Sequence, residues 1–353
     1  MNPIDYKQAG VDYASIDPLK VRAQQAAAAT AGHLARHGLA EVAASRGESA
    51  YVIDCGDFYL ASITECLGTK ALVADAMRSV SGRTFYDLIA QDTLAMAIND
   101  IITVGATPIS VHAYWASGGS DWFADAERAR DLVDGWRAAC DRCGVAWGGG
   151  ETPALAGVVE PGRIDLAASC VGLVRPKTRL TLGERLADGD AIVLLGSSGI
   201  HANGVSLARK LAERLPDAYR TRLADGTLYG EALLAPTTLY APVTEALAAA
   251  GITPHYCANI TGHGWRKLMT LERQRQFVAR DTGAVVGHDD ATDATAIEAH
   301  LDVACAGVKT VFQQFLDDRS RPLDYFSGRD LTDQCVVEKA DAGSWGGIHR
   351  GAL

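Results

Sequence analysis

Residues 51–54 and 58–64 are two short β-rich runs separated by little more than Gly56-Asp57. A gap that short closes as a hairpin, because parallel neighbours need a crossover of about a dozen residues or more. The pair therefore argues against a purely parallel, doubly wound sheet. Farther along, the spacing of apolar residues predicts a helix over 84–104 stopped by Gly105, a strand over 109–115, a helix over 125–143, and strands over 145–147 and 165–174. Strands and helices mixed in short alternation give the expected fold class, α+β (mixed α/β). Near the start, Asp17 reads as a helix cap, with Pro18 at the first helical position and the Ala-rich run ending at Gly38.

Pro176, several charges and Gly189-Asp190 interrupt the apolar pattern over 175–190. That break divides the chain into two domains, 1–174 and 175–353, in keeping with roughly 150 residues per domain. The second part is expected to open with a strand at 191–196, followed by helices near 205–214, 229–235 and 242–250. A further helical pattern runs over 297–316.

Hydrophobic residues make up 48% of the 353, and 43 Asp and Glu against 33 Lys and Arg leave a net charge of −10. That balance argues against nucleic acid as a partner, since such binding relies on basic side chains neutralising phosphates. Phosphate itself stays open, because glycine-rich backbone amides or a metal ion hold it without a basic surface. Met1-Asn2-Pro3-Ile4-Asp5 shows neither a basic stretch nor an apolar core of a leader, and no apolar run approaches the roughly 18 residues of a membrane span. A cytoplasmic protein with no membrane partner is expected. The eight cysteines are scattered, and Cys140 with Cys143 form the one C-x-x-C, which reads as reduced, mostly buried thiols.

Several segments carry chemistry. Glu65-Cys66-Leu67-Gly68-Thr69-Lys70 places a carboxylate, a flexible turn, a hydroxyl and a cation between a strand and a helix, as a metal–phosphate group requires; a capping turn fits the same residues. On the next helix Asp92 and Asn99 share a face and Asp100 adjoins them, amid apolar neighbours. If buried they need partners or a cation; otherwise they form a solvated stripe. Gly148–150 with Glu151 and Thr152, Gly196 to Gly204 with His201 and Asn203, and Thr261-Gly262-His263-Gly264 are three glycine-rich turns that let an anion approach the backbone. None has the G-x-G-x-x-G spacing of a dinucleotide site.

In this order, these segments resemble the aminoimidazole ribonucleotide synthetase (phosphoribosylformylglycinamidine cyclo-ligase) family. Tyr6-Lys7-Gln8-Ala9-Gly10-Val11-Asp12 looks like its Y-K-x-A-G-V-D. Glu65 to Lys70 is similar to its [DE]-x-x-G-T-K, and Asn99-Asp100 with Gly105-Ala106 to its N-D…G-A. Gly149-Gly150-Glu151-Thr152, the run from Gly196 to Gly204, Leu233-Leu234-Ala235-Pro236-Thr237 and Thr261-Gly262-His263-Gly264 complete seven matches, and the resemblance ends near Gln276. It implies a homodimer whose N-terminal sheets join in a shared barrel, with a C-terminal sheet covered by helices. It also implies ATP and Mg²⁺ used to phosphorylate the amide oxygen of formylglycinamidine ribonucleotide before ring closure to aminoimidazole ribonucleotide. Under that resemblance Glu65, Asp100 and Asp92 handle metal, and Lys7 and Lys70 neutralise phosphate. Gly68, Thr69, Asn99, Gly149, Gly150, Glu151 and Thr152 line the nucleotide site, while His201, Asn203 and Asp100 act on substrate. A nucleotide-binding paralogue that does not cyclise, or an ATP-dependent amide-activating enzyme with another substrate, would use the same parts.

Overall fold

The hairpin around Gly56-Asp57 seeds the sheet. A computed structural model describes residues 7–262, apart from 11, 188, 189, 191 and 192. In it β2 (Tyr51–Asp54) pairs antiparallel with β3 (Tyr59–Cys66), matching Asp54 to Tyr59 and Tyr51 to Ser62. The turn holds because Asp54 Oδ1 accepts from the Gly56 amide at 2.9 Å and Gly56 takes φ +85°.

Four more strands complete a six-stranded sheet: β1 (Ala40–Glu41), β4 (Thr107–Ser117), β5 (Ala146–Glu151) and β6 (Ile164–Val174), in the order β1-β2-β3-β6-β4-β5. Every pairing is antiparallel except β4 with β5. Along β6, Ile164, Leu166, Ala168, Cys170 and Val174 are buried and alternate with half-buried or exposed residues, the period-two signature of a sheet with one covered face. The mixed α/β class expected from the short alternations is the class observed.

Helices α1 (Tyr13–Ala28), α2 (Lys70–Ser81), α3 (Tyr86–Ile101), α4 (Asp121–Ala124) and α5 (Ala126–Cys143) belong to the first half. The covered face meets α3 across β3 and β6, and α5 packs along α3. Because it has neighbours on several sides, α3 is apolar nearly all round: Ile89, Leu94, Ile98 and Ile101 are fully buried, each contributing about 1.5–3 kcal/mol. α5 starts at Asp125, whose side chain accepts from the Arg128 amide, and stops at Gly144 with φ +62°. Trp136 of α5 meets Trp115 of β4 edge-on, with ring centroids 5.3 Å apart, and Trp147 of β5 joins them.

The second half contributes α6 (Val205–Ala212), α7 (Tyr229–Leu233) and α8 (Ala241–Ala249). The first two pack on α2, and α8 reaches β4 and α5. Arg179 donates to Thr107 of β4 at 3.0 Å and to Glu245 of α8 at 2.8 Å.

Three expectations change. α1 begins before Asp17, its first turn closing on the Asp12 carbonyl, and Pro18 lies inside it. The helix is exposed along most of its length, so the Ala-rich run rather than packing sets its extent, and Pro18 removes one backbone bond. Gly148 to Glu151, expected as a loop, belongs to β5: a side chain at Gly150 would meet the Ala113 carbonyl at 2.1 Å, so glycine is what lets β5 close on the bulged β4. Residues 193–196 are not a strand, and Val193 and Leu195 are exposed. Among the described residues an isolated bridge between Arg222 and Leu228 is the one β contact after Val174, and residues 263–353 of the half in which the C-terminal sheet is expected lie outside them. The helix expected over 297–316 and the end of the last glycine turn lie outside the described residues. No described helix is long and apolar enough to cross a membrane.

Candidate active site

Strand register decides which of the expected groups meet. Glu65 pairs with Ala168, Ala168 with Ala113, and Ala113 with Gly150, forming one row across four strands. Ala168 and Ala113 are buried on the covered face, so Glu65 stands at the end of β3 on the side where α3 lies. Asp100, in the last turn of α3 and 5% exposed, reaches the same place. Together with Gly47, Glu48, Ser49, Tyr256 and Ala258 they line a cavity of about 170 Å³ between the two halves. Asn259 donates to Asp100 Oδ1 at 2.7 Å, and Tyr256 donates to Glu48 Oε2 at 2.9 Å.

Lys70 and Asp92 lie together in the interior and are not among the residues lining this cavity. Both side chains are fully buried, with Lys70 Nζ 2.8 Å from Asp92 Oδ2, a charge contact without hydrogen-bond direction. Lys70 donates instead to the Ala235 carbonyl at 2.8 Å, and Asp92 Oδ1 accepts from both the amide and the hydroxyl of Thr237. Burial pushes the Asp92 carboxyl up and the Lys70 ammonium down, each opposed by the other's charge. Sealed inside, the pair fastens α2 and α3 to the Leu233-to-Thr237 turn. Asn99 likewise spends its amide on backbone, donating to Thr238 and accepting from Tyr240. The structure thus answers the question left open for this helix: its polar residues are buried and partnered.

His201 sits at φ +58° in its glycine turn. Its Nε2 lies 3.2 Å from the Ser198 amide, which donates to it, and 3.1 Å from the Ser198 hydroxyl. Both contacts converge on Nε2 and hold the ring in place, while the Ser198 hydroxyl also donates to the Pro236 carbonyl at 2.6 Å. Burial, helped by the charge of Lys70, lowers the imidazole to about 4, so it is neutral near pH 7. Asn203 turns its amide toward Met96 Sδ, 3.8 Å away on α3. Thr69 and Ser206 share a hydrogen bond of 3.0 Å, joining the starts of α2 and α6, while Gly68 takes φ +75° just before.

The remaining residues lie elsewhere. Glu151 pairs with Tyr114 on the sheet face turned away from α3, exposed with Thr152 beside it, and Gly149 and Gly150 are in β5. Lys7 is exposed and paired with Asp12 at 3.2 Å. Glu48, Tyr256 and Asn259 were missed as site residues. Asn259 alone had a signal, its place just ahead of the Thr261-Gly262 turn.

A cavity edged by carboxylates from a strand end and a helix end suits a hard cation. Among the described residues no group of three or more His, Cys, Asp or Glu is arranged to enclose a metal. Two carboxylates still fit Mg²⁺, which is commonly held by one or two carboxylates together with substrate phosphate oxygens.

Residues 47–174 match the family model described as AIR synthase related protein, N-terminal domain, and residues 187–268 match its C-terminal domain. The phosphoribosylformylglycinamidine cyclo-ligase of Sorangium cellulosum is 37% identical over 264 residues, covering 74% of this chain and 72% of that protein. The cyclo-ligase of the same name from Thermococcus kodakarensis is 35% identical, covering 78% of this chain and 76% of its own. With both family domains matched in order, and relatives of this closeness spanning most of their own length, the chain belongs to the AIR synthase family.

Proposed function

We propose that this protein is a phosphoribosylformylglycinamidine cyclo-ligase, closing the imidazole ring of formylglycinamidine ribonucleotide at the expense of ATP. The observation that carries the reading is the convergence of Glu65 and Asp100 on one cavity between the two halves, in a chain of this family. The γ-phosphoryl group passes to the amide oxygen of the substrate, releasing ADP. The amidine nitrogen then attacks that carbon, and the former amide oxygen leaves as phosphate, so a poor leaving group has been exchanged for a good one.

Glu65 and Asp100 would hold Mg²⁺, which supplies neutralisation of the nucleotide's phosphate charge. His201 serves as a neutral hydrogen-bonding group toward the substrate, its ring held by the Ser198 contacts at Nε2; its left-handed backbone is the kind of local strain that collects at functional turns. Asn203 lies two residues on in the same turn. Glu151 belongs to the opposite sheet face, with Thr152 just past the end of its strand, and in this reading that face joins a second copy in a homodimer with a shared barrel. The domains are 1–174 and 175–353, and the location is cytoplasmic.

ADP release with and without formylglycinamidine ribonucleotide tests the reaction. Release that depends on this substrate supports it, and Glu65→Ala or Asp100→Asn should weaken Mg-ATP binding measured by calorimetry. Nucleotide binding with no substrate-dependent release would overturn it in favour of a non-cyclising paralogue.

A further inference from the structure

The segment from Tyr256 to Asn259 forms part of the wall of the carboxylate cavity through Tyr256 and Ala258, and two side chains fasten it to the first half. At one end Tyr256 donates to Glu48 at 2.9 Å; at the other the Asn259 amide donates to Asp100 Oδ1 at 2.7 Å. Asp100 comes from α3, Glu48 precedes β2, and all but Asn259 line the cavity itself. A carboxylate at a helix end has several side-chain rotamers. An amide donor arriving from the opposite wall selects one of them and holds one oxygen.

We propose that Asn259 is a positioning residue for Asp100. It presents the carboxylate in the orientation that takes the divalent cation of a nucleotide, and Tyr256 with Glu48 keeps its segment in place. The proposal rests on the cavity being the Mg-ATP site. It also makes the site depend on the second half docking against the first, since the carboxylate and its donor come from different halves.

The test titrates Mg²⁺ against the full-length chain in the presence of a non-hydrolysable ATP analogue, read by calorimetry. Asn259→Leu keeps the bulk and removes the donor. It should raise the Mg²⁺ concentration for half-maximal binding about 10-fold or more, the usual effect of losing a partner behind a metal ligand. Metal-free affinity for the analogue should stay unchanged, and Asn259→His, which restores a donor, should recover part of the loss. If Asn259→Leu does not fold, Asn259→Ser, too short to reach Asp100, is read the same way.

Wild-type Mg²⁺ dependence in the variant, with Asp100→Asn impaired, would overturn the positioning role and leave the site standing. Equal loss with and without Mg²⁺ would also overturn it, marking Asn259 as merely structural. Normal binding by Asp100→Asn would instead remove the Mg-ATP reading on which the proposal rests.

Discussion

Lys70 and Asp92 show how far a side chain's role depends on what encloses it. By residue type and place in the chain they suit phosphate and metal; enclosed together they are the anchor of three segments. Removing one charge leaves the other buried and unanswered. Lys70→Met or Asp92→Asn should therefore cost about 3–5 kcal/mol in denaturant unfolding. The double variant should lose less than the sum, and strictly additive losses would show that the two charges do not answer each other. His201 gives a pH signature. Its folded value of about 4 lies below its ordinary 6.5, so between these values the unfolded chain binds a proton that the folded chain does not. Stability should be level above pH 6.5 on this account and fall as pH drops toward 4, by on the order of 2 kcal/mol. His201→Gln should flatten that part of a melting-temperature profile, and an unchanged slope would assign the acid sensitivity to other groups.

Elements with a strong period were legible in the sequence. α3, α5, β6 and the β2–β3 hairpin stand within a few residues of their expected places, because buried faces and caps write themselves into spacing. The run from Gly148 to Glu151 was not legible, because glycine marks both turns and places where another backbone comes close. Gly135, within α5, is a second case of close approach. Alanine there would normally help a helix by about 1 kcal/mol. Here its Cβ would lie 2.5 Å from the Asp87 carbonyl, pressing α5 away from α3. Gly135→Ala should destabilise by about 1–3 kcal/mol, since overpacking outweighs propensity. A variant that melts higher than wild type would show that the contact yields.

For the whole molecule, the sheet face turned away from α3 is the widest consequence of the topology. Rows such as Thr64, Ser169 and His112, and Cys66, Ala167, Tyr114 and Glu151, lie across it, half-buried or exposed. If a second copy covers this face, sedimentation at micromolar concentration should give a dimer, and Tyr114→Asp should shift it toward monomer by burying an unpaired charge. Monomer at every concentration would remove the homodimer from the proposed function. The sequence by itself determined the fold class, the main elements and the family, because periodicity, caps and ordered motifs are local properties. It also named Glu65 and Asp100. Only the tertiary structure decided that these two share a cavity while Asp92 and Lys70 are sealed away, that Glu151 lies on the other face, and that Asn259 reaches Asp100 from the opposite half. Strand register and docking set those distances between residues far apart in the chain, and no local spacing encodes them.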